Sequence, residues 1–421
     1  MTTTATIAEV GGPQTVLTDD EVDGFVRAQL AGAALDGRSV CVLVPDATRS
    51  CPLPLLLSAV HGALHGRVSR LTVLVALGTH AAMSDAALAA HLGYPPGEAG
   101  AVYSQTSIVS HAWWEPSTFV DVGVLSAERI AELSGGMLHH TAQVRINRAV
   151  VEHDVTLIVG PVFPHEVVGF SGGNKYLFPG VSGRELIDLS HWLGALITSA
   201  GIIGTRGITP VRALIDEAAA MVPGERLAFC VVTAPGPNTL HSMAFGDPQQ
   251  AWAAAADVSA QTHIRYLAHP VRRVLSVIPE KYDDMWTGAK GFYKVEPIVA
   301  DGGEVVLYAP HIRDIATTHP AIERIGYHCR DYFLQQWDRF SGEHWGDLAH
   351  STHLAGAGTY DEVHGERRRV TVTLATAIPE SVTRAVSLEF RDPASIDIAE
   401  WAADPETLVV SNAGEDLYRL R

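Results

Sequence analysis

The chain has 421 residues, 47% of them hydrophobic, with a mean hydropathy of +0.12. It is too long for one small domain and apolar enough for large buried cores, which excludes a disordered chain, and no apolar run reaches the length of a membrane span. The formal net charge of −17 argues against nucleic acid, whose phosphates need a basic surface, and leaves a small anion in a focused basic cleft as the charged partner to expect. The four cysteines, Cys41, Cys51, Cys230 and Cys329, show neither CxxC spacing nor a disulfide framework. The opening MTTTATIAEV lacks the basic start and apolar stretch of an export signal, so a cytoplasmic protein is expected.

In chain order, residues 38–64 (RSVCVLVPDATRSCPLPLLLSAVHGAL) read as strand, loop and helix. A strand at 70–80 follows, then a helix in MSDAALAAHLG with Ser84 or Asp85 as its N-cap. The run VTLIVGPVF (155–163) predicts a strand that feeds a glycine-dense loop, and GRELIDLSHWLGALI predicts a helix from about Arg184. Near His269-Pro270 the pattern restarts. It gives a strand at 271–279, a helix over YDDMWTGAKGFYKVEPIVA, a strand at 302–310 and one more strand in the ending ETLVVSNAGEDLYRLR. Repeated strand–loop–helix units imply an α/β fold of two domains, each a largely parallel sheet flanked by helices, with the active site in the cleft between them. The expected boundaries are 1–265, rejoined by 405–421, and 270–400.

Loops at the carboxyl ends of parallel strands are where open α/β sheets hold ligands. Three such loops begin with polar residues: Asp46-Ala-Thr48-Arg49, Gly78-Thr79-His80 and Pro164-His165. Arg49 can take a carboxylate through two parallel hydrogen bonds, with Asp46 orienting Arg49 or His80. His80 and His165 end different strands, and two imidazoles at one sheet edge suggest an acid and a base. The stretch PHEVVGFSGGNKYLFPGVSG (164–183) sets Lys175 between glycines, the arrangement that presents a phosphate-bearing cofactor. A P-loop is excluded, because Asn174 precedes the lysine and Tyr176 follows it. An incidental lysine in a surface loop and a loop ion pair between Asp46 and Arg49 are the plain alternatives. His191 can be one metal ligand, whereas a metal held by protein alone takes three or four.

DATRSCP (46–52), GTH (78–80), PHEVVGFSGGNKYLFPGVSG, SHW (190–192) and AKG (289–291) resemble the nickel-dependent lactate racemase family, and the likeness runs through nearly the whole chain. The resemblance implies racemisation or epimerisation of a 2-hydroxy acid, with cofactor-making enzymes as partners for loading. Its cofactor would be a nickel-pincer nucleotide, a pyridinium mononucleotide with thioamide and thiocarboxylate arms, attached to Lys175. Ser171, Gly172, Gly173, Asn174 and Thr48 would cradle it. By the same resemblance His191 is the single protein ligand to Ni, and the sulfur-rich cofactor supplies the others. His80 and His165 are then the acid/bases that serve the two enantiomers, Arg49 clamps the carboxylate, and Lys290 supports substrate or cofactor phosphate. The family has a glutamine three positions before that lysine where this chain has Thr287. Thr287 and Trp286 are therefore expected at the substrate, which is expected to be larger than lactate. Trp113-Trp114 and His344-Trp345 also depart from the family.

Two rival readings remain at this point. A nicotinamide-dependent oxidoreductase of 2-hydroxy acids would use Arg49 and a histidine base, but no GxGxxG follows a predicted strand. A non-catalytic carrier of nickel or its cofactor would need Lys175 and His191 but neither His80 nor His165.

Overall fold

The computed structural model describes residues 7–234 and 239–421; residues 1–6, which bear on the export reading, lie outside it. Seven strands form the larger sheet: β1 Ala8–Gly11, β2 Ser39–Pro45, β3 Arg70–Ala76, β4 Thr106–Ser110, β5 Val155–Pro161, β6 Glu225–Thr233 and β7 Leu240–Gly246, in the spatial order β1-β7-β6-β5-β2-β3-β4. From β6 to β4 all neighbours are parallel, while β7 and β1 add antiparallel pairs at one edge. A second sheet is parallel throughout. It runs β11 (Glu389–Phe390), β10 (Thr371–Thr376), β9 (Val299–Ala309), β8 (Val271–Val277) and β12 (Thr407–Val410).

The apolar runs explain this arrangement. Every residue of β5 is buried, as expected of a central parallel strand covered by helices on both faces. Val42, Val44, Leu157 and Val159 enter one apolar cluster, whereas Leu43 and Ile158 point into another. That second cluster continues to Val305 and Leu374 of the other sheet, so one apolar core joins the two. Each such side chain removed from water stabilises the fold by about 1.5–3 kcal/mol. The helix Asp85–Leu92 starts as its sequence predicts, with the Ser84 hydroxyl accepting from the Ala87 N–H at 3.2 Å. No described helix is long and apolar enough to cross a membrane, and the four cysteines are free.

Two expectations change. The predicted helix over 282–300 is broken into the turns Met285–Gly288 and Lys290–Tyr293 and the 3₁₀ turn Glu296–Ile298, and β9 already begins at Val299. Gly288, Gly291 and Pro297 are poor helix-interior residues. A Cβ on Gly291 would also lie 2.2 Å from Ile278 Cδ1, so this segment presses its backbone against the second sheet. The chain's ending, read as one strand, contains two. Thr407–Val410 joins the second sheet beside β8, and Leu417–Leu420 pairs in parallel with Ile264–Leu267, which follows the helix Pro248–Thr262.

Candidate active site

The neighbouring strands β5, β2 and β3 end at one edge of the larger sheet, and their loops carry His165, Asp46 with Arg49, and His80. All four line a single cavity together with Lys175 and His191. Its empty space, open mouth included, is about 1000 Å³.

The loop after β3 turns back on itself through His80 N–H to the Leu77 carbonyl at 2.9 Å, and Gly78 N–H ties it to the Gly180 carbonyl at 2.9 Å. The Trp113 indole donates to the His80 carbonyl at 3.0 Å. His80 Nδ1 lies 2.5 Å from Asp46 Oδ2, so Nδ1 carries the proton and Nε2 is left as a base. Burial opposes the charge on Asp46, but His80, the Thr48 hydroxyl at 2.7 Å and Arg49 outweigh it and hold the carboxyl well below its usual range. The guanidinium of Arg49 makes no hydrogen bond or ion pair with the described residues, which leaves its donors to an anion.

His165 is arranged in the opposite sense. Its Nδ1 accepts the Val167 N–H at 3.2 Å, which places the ring proton on Nε2. Burial, then the charges of Lys175 and Arg49, drives its pKa well below the usual histidine value. The hydrogen bonds thus put the Nδ1 proton on His80 and the Nε2 proton on His165, opposite tautomers at the two rings.

Lys175 lies on the turn Gly173–Tyr176, reached through Gly172 at φ 85° and Gly173 at φ 58°. A Cβ at Gly172 would stand 2.6 Å from Val162 Cγ2, so a larger residue there would displace the loop. Arg212 supports this loop from below, donating to the carbonyls of Gly172 at 3.1 Å and Phe170 at 2.5 Å, with its guanidinium carbon 4.2 Å from the Trp252 ring centroid. Burial, reinforced by Arg49, lowers the Lys175 amine to about 7. A large neutral fraction at physiological pH makes it a competent nucleophile for covalent attachment.

His191 stands on the helix Arg184–Ile197, with Nδ1 bonded to the Ile187 carbonyl at 2.7 Å. Burial lowers it to about 4, so the ring is neutral and Nε2 keeps its lone pair. No group of three or more His, Cys, Asp or Glu among the described residues is placed to hold a metal. A metal here must bring most of its ligands with it. An amine suited to acylation beside one open imidazole fits an organic group that does so.

The second half of the chain supplies the facing wall: Trp286, Lys290, Tyr293, Gly346, His350 and His353. Trp286 is stacked between His319 at 3.7 Å and His350 at 3.9 Å between centroids. His319 Nε2 reaches the Thr79 hydroxyl at 3.2 Å, which joins this stack to the loop of His80. Burial lowers the Lys290 amine to about 8.

Of the residues expected at a cofactor, Lys175, Gly172 and Ser171 line the cavity, while Gly173, Asn174 and Thr48 do not. Gly173 is packed against Trp252, the Asn174 amide donates to Asp216 at 2.8 Å, and Thr48 is bonded to Asp46. Thr287, expected at the substrate, is turned away from the cavity in this structure. Its hydroxyl is bonded to Asp284 Oδ1 at 3.0 Å, where Asp284 caps the short turn Met285–Gly288, and it does not line the cavity. Sequence reasoning missed Glu166, Tyr293, His350, His353 and Arg212. The spacing of HSTH (350–353), which puts both histidines on one helix face, was the available signal for two of them.

Residues 25–201 match the family model for the lactate racemase N-terminal domain, a span that holds Asp46, Arg49, His80, His165, Lys175 and His191. This part of the chain is similar to lactate racemases. A curated lactate racemase from Thermoanaerobacterium thermosaccharolyticum is 26% identical over 158 residues, 37% of this chain and 32% of that protein, so the match spans about a third of the relative's length. A crystal structure of a Thermotoga maritima protein superposes with a TM-score of 0.89 at 29% identity, covering 98% of this chain and 100% of that one. The apoprotein structure of the lactate racemase from T. thermosaccharolyticum gives a TM-score of 0.69 at 16% identity with the same coverages, a likeness of fold.

Proposed function

We propose that the protein is a racemase or epimerase of a 2-hydroxy acid that works with a nickel-pincer nucleotide. The observation that carries this reading is the convergence on one cavity of an unpaired Arg49, an Asp46–His80 pair, an oppositely protonated His165, a low-pKa Lys175 and a neutral His191. Lys175 Nζ would hold the nucleotide through a thioamide, and His191 Nε2 would be the single protein ligand to nickel. When bound, that group supplies a centre able to take the α-hydrogen of the substrate with its electron pair and give it back.

The chain's own residues do the rest. Arg49 binds the substrate carboxylate and fixes its orientation, with Lys290 as a second cation. His80 Nε2 takes the hydroxyl proton of one enantiomer, and the Asp46 carboxylate stabilises the resulting imidazolium. His165 performs the matching proton transfer for the other enantiomer. The facing wall of Trp286, Tyr293, His350 and His353 excludes water. A division into domains 1–265 and 270–400, closing about a hinge near 262–272, belongs to the same proposal. So does a substrate longer than lactate, which would meet the wall at Trp286. The test is co-production with the cofactor-making enzymes, then chiral chromatography on a panel of single-enantiomer 2-hydroxy acids. Inversion of at least one acid by the loaded protein, lost in His80→Asn and His165→Asn, is expected. Retained function of a loaded protein in both variants would instead leave it a carrier.

A further inference from the structure

Glu166 follows His165 directly and has no assigned role, yet its Oε2 lies 3.3 Å from His165 Nδ1. That nitrogen therefore has two competing neighbours: the Val167 N–H, which can only donate, and the Glu166 carboxylate, which can only accept. His80 differs, since its Nδ1 meets a carboxylate alone.

We propose that Glu166 is the positioning residue for His165, receiving the Nδ1–H whenever the ring must offer Nε2 as a base or carry a second proton, while Val167 N–H holds the alternative tautomer. The inference rests on the racemase reading, because an enzyme that serves both enantiomers needs each imidazole in both protonation states. In the resting tautomer Nδ1 accepts from Val167, and Nε2–H only hydrogen-bonds a substrate oxygen. In the working one Nδ1–H donates to Glu166, so that Nε2 takes a hydroxyl proton to give the imidazolium and later returns that proton to a substrate oxygen, leaving the neutral ring. Protons balance across the pair, as each is held by a substrate oxygen or by an imidazole. The two histidines are then two carboxylate–histidine dyads, Asp46–His80 and Glu166–His165, one fixed and one switchable.

The surroundings call for such a carboxylate. Arg49 from the loop after β2, Lys175 from the glycine loop, His191 from its helix and Lys294 from the second half all face His165 and disfavour its protonation. Glu166 is the acidic group beside it, itself faced by His353, Lys290, Arg49 and Tyr293. Without it, a protonated His165 would face the Arg49 guanidinium and the amines of Lys175 and Lys294 with no adjacent carboxylate.

The experiment is nitrogen-15 NMR of the imidazole rings in full-length, cofactor-free protein, with His165 assigned by the signals that His165→Asn removes. Glu166→Gln is expected to weaken proton binding at His165 at least tenfold, the effect of losing an opposite charge within ~4–6 Å, and to leave His80 within twofold. Glu166→Asp should restore most of the loss, and in loaded enzyme formate should restore turnover to Glu166→Ala. A His165 proton affinity within twofold of wild type in a folded Glu166→Gln protein overturns the proposal, as does Glu166→Ala turnover indifferent to formate. The ring measurement needs no cofactor, so a wild-type protein that inverts no acid would refute the racemase reading without deciding the state of His165.

Discussion

The two walls of the cavity are built in different ways. The rim of the larger sheet is made of short loops that leave parallel strands at one edge, and each places a charged or proton-bearing group: Arg49, Asp46 with His80, His165, Lys175. The opposite wall comes from broken helical turns and the helix Trp345–Ala355, and its side chains are held by rings stacked on rings. Burial keeps His350 and His353 neutral there, the latter at about 4. On the proposed function, the rim would bind charge and move protons with Lys290 as the wall's one contribution, and the rest of the wall would select the acid by shape and dryness. A rim substitution should remove chemistry, whereas a wall substitution should change preference.

The largest effect is expected at Lys175. Lys175→Ala should show no added mass by intact-protein mass spectrometry, no bound nickel and no measurable inversion. In wild-type apoprotein at pH 7 the neutral fraction of an amine at about 7 exceeds that of an ordinary lysine by ~10³, so Lys175 should be modified early by acylating reagents. Its labelling should rise through pH 7 and level off above it, because burial disfavours the charged form. A rise only near pH 10, followed by peptide mapping, would contradict this. His191→Ala separates attachment from coordination: the added mass should remain while nickel, measured by elemental analysis, is lost.

Next come the acid/bases. His80→Asn, His165→Asn and Asp46→Asn should each lower turnover by roughly 10²–10⁴, the usual worth of a general acid or base, with KM for the acid little changed. Arg49→Lys keeps the charge but loses the two-pronged carboxylate grip, and should raise KM instead. Equal losses from wall and rim variants would break the distinction between them.

Wall variants should give smaller, selective effects. Trp286→Phe is expected to change the ratio of specificity constants between a longer acid and lactate by about 10–200-fold, the range one hydrophobic contact commands. The smallest effect is on stability. Losing the aromatic stack of Trp286 on His319 and His350 should cost about 0.5–1.5 kcal/mol per ring pair beyond burial, read from chemical denaturation.

The rim was legible in the sequence because its logic is local. An apolar run ends, a polar residue follows at once, and parallel order then brings β5, β2 and β3 side by side. The wall was less so. Trp286 and Lys290 lie in a segment whose apolar spacing suggests one helix, but Gly288, Gly291 and Pro297 break it, and Thr287 turns to Asp284. His350 and His353 meet the cavity only because their helix packs on the Arg184–Ile197 helix, a contact between distant parts of the chain that no local pattern announces. Arg212 was hidden for the same reason, since its carbonyl partners belong to a loop far from it in sequence.

The most direct measurement is the fate of one enantiomer of a 2-hydroxy acid, deuterated at C2, with fully loaded protein and no added nicotinamide. A racemase working through hydride return converts it to a mixture of both configurations at C2, with the deuterium retained and no keto acid accumulating. No inversion of any acid on the panel, or accumulation of keto acid in proportion to an added nicotinamide, would contradict that reading.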